Sequence, residues 1–385
     1  MEELLSYMRR IRRSLHRHPE LAFEEWQTAA LICRELDSLG IPARCGVTGT
    51  GIVAVLKKGD GPVVALRADM DALPIQECTG LVFASEVSGK MHACGHDGHV
   101  AALLGAARLL QKRNFCGEVR LFFQPAEENG NGADKMVQAG VMQGVNAVFG
   151  GHLDTHFPPD CITVDEGPIC SFADPFDIHL TGRGGHAARP QEARDCVVAG
   201  ATLIQALQTV VSRESDPNTA AVITVGEFHA GTVRNAIAGE AVLRGTIRTT
   251  WPEVRERVLA AVKRVVKGSA ELSGVDAHLE WGEPMPAVIN QEWGVRLGRL
   301  AAKEIGVDVC SQGPPSLGGE DFAFYLQDGM RGCFVRFGAA LEAGGGVAHS
   351  GNFDFNEAAL ETGARWLAEV AVQSLRECGR GKNDS

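Results

Sequence analysis

The chain is 385 residues long, 45% of them hydrophobic, and carries a formal net charge of −11. That length exceeds what one hydrophobic core usually organises, so two domains are expected. The acidic balance, with no Lys/Arg block, argues against nucleic acid or an anionic membrane as partner.

The first segment, MEELLSYMRRIRRSLHRHPEL, alternates charged and apolar residues with helical spacing. It predicts a helix over 2–17 and lacks the apolar core of a signal peptide. A second helix is expected over 24–39, ending at Gly40. Strands follow at 51–56, 62–68, 117–124 and 146–152, with helices at about 97–113 and 132–140 between them. Apolar strands alternating with helices point to a mainly parallel, doubly wound α/β sheet.

The rhythm then changes. A strand at 176–182 precedes a helix at 195–213, two strands at 220–228 and 239–250, a helix at 252–273 and a strand at 276–282. This β-α-β-β-α-β order is the ferredoxin-like pattern. It is expected to form an inserted domain over 174–285, with 1–173 and 286–385 making one discontinuous larger domain. Helix 291–305, strand 333–338 and helix 356–377 complete that domain, and the tail from Gly379 is expected to fray. No run approaches the roughly 18–20 apolar residues that cross a bilayer. The eleven cysteines are scattered without a CxxC pair, and Cys33 and Cys196 read as buried free thiols, so a reducing, cytoplasmic setting is expected.

Metal-competent side chains gather where the larger domain's strands end. Asp69 and Asp71 follow one strand, Glu127 and Glu128 another, and His152 closes a third. The stretch MHACGHDGHV supplies Cys94 and His96 just before a helix that Asp97 is expected to cap, and His349 stands in a glycine-rich loop. In open α/β sheets ligands bind outside the carboxyl ends of the strands. Singly, each residue has a plainer reading as a polar loop, a turn former or a core histidine. Together they offer five candidate ligands, Cys94, His96, Glu128, His152 and His349. Five exceed the needs of one tetrahedral zinc with an open position, and two divalent ions account for the number better. Of the neighbouring carboxylates Glu127 and Glu128, one can ligate while the other acts as general base. His92 and His99 are expected to support the site rather than ligate.

The sequence resembles the aminoacylase and carboxypeptidase family of dinuclear metallopeptidases, in its amidohydrolase subfamily. The resemblance rests on RRSLHRHPELAFEE (12–25), LRADMDALPI (66–75), MHACGHDGHVAALLGAA (91–107), FFQPAEENGNGA (122–133), GRGGHAARP (182–190), NAIAGEAVLRGTIRT (235–249), GGEDFAFY (318–325) and AHSGNFDFNE (348–357). It implies a metal-binding catalytic domain with an inserted lid, and a homodimer formed through that lid. It implies hydrolysis of N-acyl amino acids or small amides, with a dipeptidase or carboxypeptidase as the alternative. By the same resemblance Cys94, His96, Glu128, His152 and His349 are the ligands of two divalent ions (zinc, manganese or cobalt), and Glu127 is the base. His186 would stabilise the oxyanion and Asn235 would contact substrate.

This chain departs from the family at Gln191, at Cys196 after Asp195, at NAIA (235–238), and at Gly351 after His349-Ser350. None of these replaces an implied ligand or the base. Two rival readings remain at this stage. Cys94 could be a thiol nucleophile with His96 as its base, although the spacing is poor and the acidic neighbours oppose a thiolate. A non-catalytic structural zinc site would leave Glu127 without a role.

Overall fold

The computed structural model describes residues 2–128, 131–342, 344 and 346–380, and these divide into two units. The larger comprises the chain up to Ile169, Ile289–Pro314 and the chain from Asp321, and the smaller comprises Cys170–Val288 with Pro315–Glu320. The smaller unit thus begins and ends a few residues outside 174–285, and it takes in a short return segment that no sequence signal sets apart.

In the larger unit, helices α1 (Glu2–Arg17) and α2 (Trp26–Ser38) precede strands β1 (Ala43–Val47), β2 (Gly51–Lys58) and β3 (Val63–Asp69). Helix α3 (His96–Gln111), β4 (Gly117–Gln124), α4 (Gly132–Gln138), β5 (Ala147–Asp154) and β6 (Cys161–Thr163) follow. One eight-stranded sheet runs β1-β2-β4-β3-β5, then Arg331–Gly338, then β6, then Asp308–Cys310. Its centre is parallel: β3 pairs with both β4 and β5, and β5 pairs with Arg331–Gly338. Strands β1 and β2 add an antiparallel edge. Helix α3 packs on α1 and on the last helix, Ala359–Arg380. Its apolar residues Val100, Leu103, Leu104 and Leu110 are fully buried. Aromatic side chains, among them Phe149, Phe337 and Trp366, fill the layer between sheet and helices. Gly379 and Arg380 continue the last helix, and the rest of the tail lies outside the described residues.

Strand ends decide where side chains go. Because β4, β3 and β5 are parallel neighbours, their carboxyl ends at Gln124, Asp69 and Asp154 lie on one edge of the sheet. The loops that leave them therefore face one crevice.

The smaller unit has one antiparallel sheet in the order Ala221–Ala230, Glu240–Thr249, Phe172–Thr181, Asp276–Trp281. Helices Cys196–Thr209 and Pro252–Ser273 pack on each other and on this sheet. Asp195 caps the first by accepting from the Val197 and Val198 N–H groups. Pro252 starts the second, and Gly274, in the left-handed region, ends it. Together with its continuation to Glu214, the first helix is long and apolar enough, by length and composition only, to cross a membrane. Its Leu203, Leu207 and Val210 instead join Ile178, Leu243 and Ile247 in this unit's core.

Two disulfides, Cys33–Cys45 and Cys161–Cys310, form among the described residues, and the first corrects the expectation of a free thiol at Cys33. Cys33 is half-buried and bonded rather than a free core thiol, whereas Cys196 is buried and free. The premise of the reducing setting is weakened accordingly.

Candidate metal centre

Helix α3 does not start as expected. Its capping residue is Gly95, at φ 90°, a conformation open to glycine at little cost. His96 is the first helical residue, and Asp97 lies inside the first turn, where its carboxylate meets His16 and Arg12. The turn at Gly95 lets Cys94 and His96 serve one site from the two sides of a helix entrance.

Of the groups whose ligand atoms lie within 4.8 Å of one another, three join the candidate ligands: Cys94 with His96 and His152, Cys94 with Glu128 and His349, and His96 with Glu127 and Glu128. Cys94, His96 and Glu128 each belong to two of these three. Its Sγ lies 3.3 Å from His152 Nε2. His349 Nε2 lies 3.3 Å from Glu128 Oε1, and His96 Nε2 lies 3.9 Å from Glu127 Oε2 and 4.0 Å from Glu128 Oε1. All six of these residues come from the larger unit.

The hydrogen bonds behind the cluster select the ring tautomers. The His96 Nδ1–H donates to the Asp71 carbonyl at 2.9 Å, which turns Nε2 toward the carboxylates. His152 Nδ1–H donates to the Leu153 carbonyl at 2.7 Å, leaving the Nε2 lone pair on the Cys94 side. His99 is fully engaged: Nε2 accepts from the Leu153 N–H at 2.9 Å, and Nδ1–H donates to Asp69 Oδ1 at 2.6 Å. Both of its ring nitrogens are thus occupied by protein partners.

Asp71 does more than form a turn. Its two carboxylate oxygens accept from the Glu127 and Glu128 N–H groups, each at 3.1 Å. Asp69 is fully buried between Arg67 at 2.5 Å and His99. Arg67 in turn donates to Gln124 and to the fully buried Asp321. Neither the clamp made by Asp71 nor the Arg67–Asp321 pair was legible beforehand, because the partners are distant in sequence.

The electrostatics favour a cation. Burial pushes the Cys94 thiol well up, and Glu128 and Glu127 push the same way against His96, so this thiol has no means of ionising alone. That removes the physical basis of the thiol-nucleophile reading. Burial opposes charge on His96, yet Asp69 holds its ring well above the ordinary histidine range. A pocket that draws a proton onto a fully buried imidazole is one that attracts positive charge. His96 Nε2 has no hydrogen-bond partner and is buried, a costly state for a polar atom unless a ligand meets it. The donor set, one thiolate-capable sulfur, three imidazoles and carboxylate oxygen, fits divalent transition ions.

His186 and Asn235 lie elsewhere, in the smaller unit, where both are exposed. Two-residue strands Gly185–His186 and Ala236–Ile237 pair antiparallel, and the Ala187 N–H donates to the Asn235 carbonyl at 3.1 Å. The Ala188 N–H donates to His186 Nδ1 at 3.1 Å, which puts the proton of a neutral ring on Nε2.

The model of peptidase family M20/M25/M40 matches residues 65–373, and the chain belongs to that family. It is 41% identical to an N-acetylcysteine deacetylase of Bacillus subtilis over 94% of this chain and 95% of that one. It is 35% identical to the hippurate hydrolase of Campylobacter jejuni, covering 97% of this chain and 98% of that one. Among solved structures, the YXEP protein of Bacillus subtilis, a dinuclear metal-binding peptidase of the M20 family, superimposes with a TM-score of 0.88. It shares 38% identity, over 98% of this chain and 99% of that one.

Proposed function

We propose that this chain is a metal-dependent amidohydrolase that cleaves the amide bond of N-acyl amino acids or similar small amides. The observation that carries the reading is the convergence of Cys94, His96, Glu128, His152 and His349 on one crevice, with the buried His96 Nε2 lacking a protein partner and Glu127 beside it. Those five residues would hold two divalent ions. The soft Cys94 sulfur and the imidazoles favour zinc, and the carboxylate keeps manganese and cobalt acceptable. When bound, the ions supply Lewis acidity to the scissile carbonyl and make water acidic enough to lose a proton near neutral pH.

The chain's own groups do the rest. Glu127 accepts the proton of the attacking water and returns it to the leaving nitrogen. His186 donates its Nε2 proton toward the oxygen that becomes negative as the carbonyl is attacked. Asn235, joined to the same turn, contacts substrate. In this reading the smaller unit serves as a lid and as the surface of a homodimer.

Three measurements test it. Bound metal should number two ions per chain, and amidase activity should vanish with a chelator and return with Zn²⁺, Mn²⁺ or Co²⁺. Glu127→Gln should keep its metal and lose on the order of 10²–10⁴ in rate. Activity that survives full metal removal overturns the proposal. A panel of N-acetyl, N-benzoyl and longer N-acyl amino acids identifies the acyl group. Faster cleavage of unblocked dipeptides would move the enzyme to the peptidase reading.

A further inference from the structure

The segment PELAFEE ends at Glu25, which lies ahead of the residues matched by the family model. Glu25 is completely buried, and no Lys, Arg or His among the described residues forms an ion pair with it. Its side chain instead collects donors from three places in the chain. Oε1 accepts from the Phe23 N–H and the Ala126 N–H, each at 3.0 Å, and Oε2 accepts from Thr50 Oγ1 at 2.6 Å. A carboxylate buried without a counter-ion is expensive, and an apolar side chain could fill the same space more cheaply. What an apolar side chain cannot do is accept the Ala126 N–H.

Ala126 is the residue that needs such an anchor. It stands at φ 55°, in the left-handed region, which a residue with a Cβ adopts only at a cost. The next two N–H groups, of Glu127 and Glu128, go to Asp71. Three successive N–H groups are therefore fixed by two carboxylates, and that fixing separates the directions of the two following side chains. Resting on the assignment of Glu127 as base and Glu128 as ligand, we infer that Glu25 is a positioning residue for the reaction. It holds the backbone elbow at Ala126 so that Glu127 meets the attacking water while Glu128 stays on the metal.

The experiment compares Glu25→Ala, Glu25→Asp and Glu25→Gln with the wild-type enzyme in kcat, KM and Co²⁺ binding. Removing the acceptor lets the elbow relax, and a misplacement near 1 Å costs on the order of 10²-fold in rate. Glu25→Ala should therefore lose roughly 10–10²-fold in kcat with KM within about threefold. It should still bind two Co²⁺ ions per chain, but with a shifted d–d absorption spectrum as Glu128 moves. Glu25→Asp, which keeps the carboxylate but withdraws it, should show the same loss and serves if the alanine variant does not fold. Glu25→Gln keeps an oxygen for both N–H groups and should stay within about threefold of wild type in kcat. An alanine or aspartate variant with wild-type kcat and Co²⁺ spectrum overturns the inference, as does a glutamine variant as slow as alanine. Glu127→Gln separates the two ideas: if it keeps full rate, the base assignment fails, and if it is slow while Glu25→Ala is not, only the role of Glu25 fails.

Discussion

Raising the pH should unlock the N-terminal helix from the metal loop through one histidine. His16 on α1 is 1% exposed, with Nδ1 at 2.8 Å from Asp97 and Nε2 at 3.4 Å from Glu77. Both carboxylates accept, so both ring nitrogens must donate and the ring is an imidazolium. Burial and the neighbouring Arg12 oppose that charge, but the hydrogen bonds to Asp97 and Glu77 outweigh them and raise the pKa from 6.5 to about 9. His92, the other ring nearby, is held neutral by burial, its pKa pushed down to about 4. Each tenfold gain in proton affinity is worth about 1.4 kcal/mol, so this rise contributes roughly 3 kcal/mol to stability. The folded chain holds the proton more tightly than the unfolded chain. The contribution is therefore complete below pH 6.5 and disappears as pH climbs through about 9. Urea unfolding of wild type and His16→Gln, both metal-free, from about pH 6 to about pH 10 isolates it, since other titrations cancel in the difference. The stability advantage of the wild type should shrink by roughly 3 kcal/mol over that range. A difference that stays flat, or that grows with pH, refutes the reasoning.

Two further outcomes follow from the geometry. A Cβ at Gly98 would lie 2.5 Å from Leu153 Cδ1 and 2.6 Å from Phe355 Cζ, both core side chains. Gly98→Ala should cost about 1–3 kcal/mol in thermal or urea unfolding, and an unchanged melting temperature would mean that this layer yields easily. His186→Ala should lower kcat on the order of 10²–10³-fold with metal content unchanged, the usual worth of an oxyanion donor. An unaltered kcat takes His186 out of the mechanism.

Long elements were readable because their apolar spacing is locally complete. Helix Pro252–Ser273 carries its own start and stop residues, β4 closes on the apolar run Leu121–Phe123, and β5 opens on Ala147–Phe149. Strand β1, by contrast, is exposed at four of its five positions, and Cys161–Thr163 and the edge strand Asp308–Cys310 are three residues each. Such segments become strands only because a neighbour offers hydrogen bonds. The site divides along the same line. Cys94 and His96 were legible from a short spacing before a helix, and Glu127 and His152 from following or ending apolar strands. The partners that aim them come from far away in sequence: Asp71 to the 127–128 turn, Glu25 to Ala126, and Leu153 to His99. The cap at Gly95 was misjudged because Asp97 has the right side chain for a cap but spends it on His16 and Arg12.

The bridge joins Cys161 to Cys310 across a sequence separation of 149, and all of Cys170–Val288 falls inside that interval. Beside it, β6 and Asp308–Cys310 lie parallel, and Gly167–Pro168 pairs with Ile289–Asn290. The stretch Cys170–Val288 therefore leaves and re-enters its host through a stem that is sealed covalently as well as zipped by backbone hydrogen bonds, while Pro315–Glu320 joins the smaller unit from beyond it. A protease that nicks the inserted stretch produces two fragments that still travel as one molecule until a reductant is added. For an engineer the stem is a socket: its rim is fastened by the host's own residues, so one insert can be exchanged for another without re-teaching the host where its two chain ends meet.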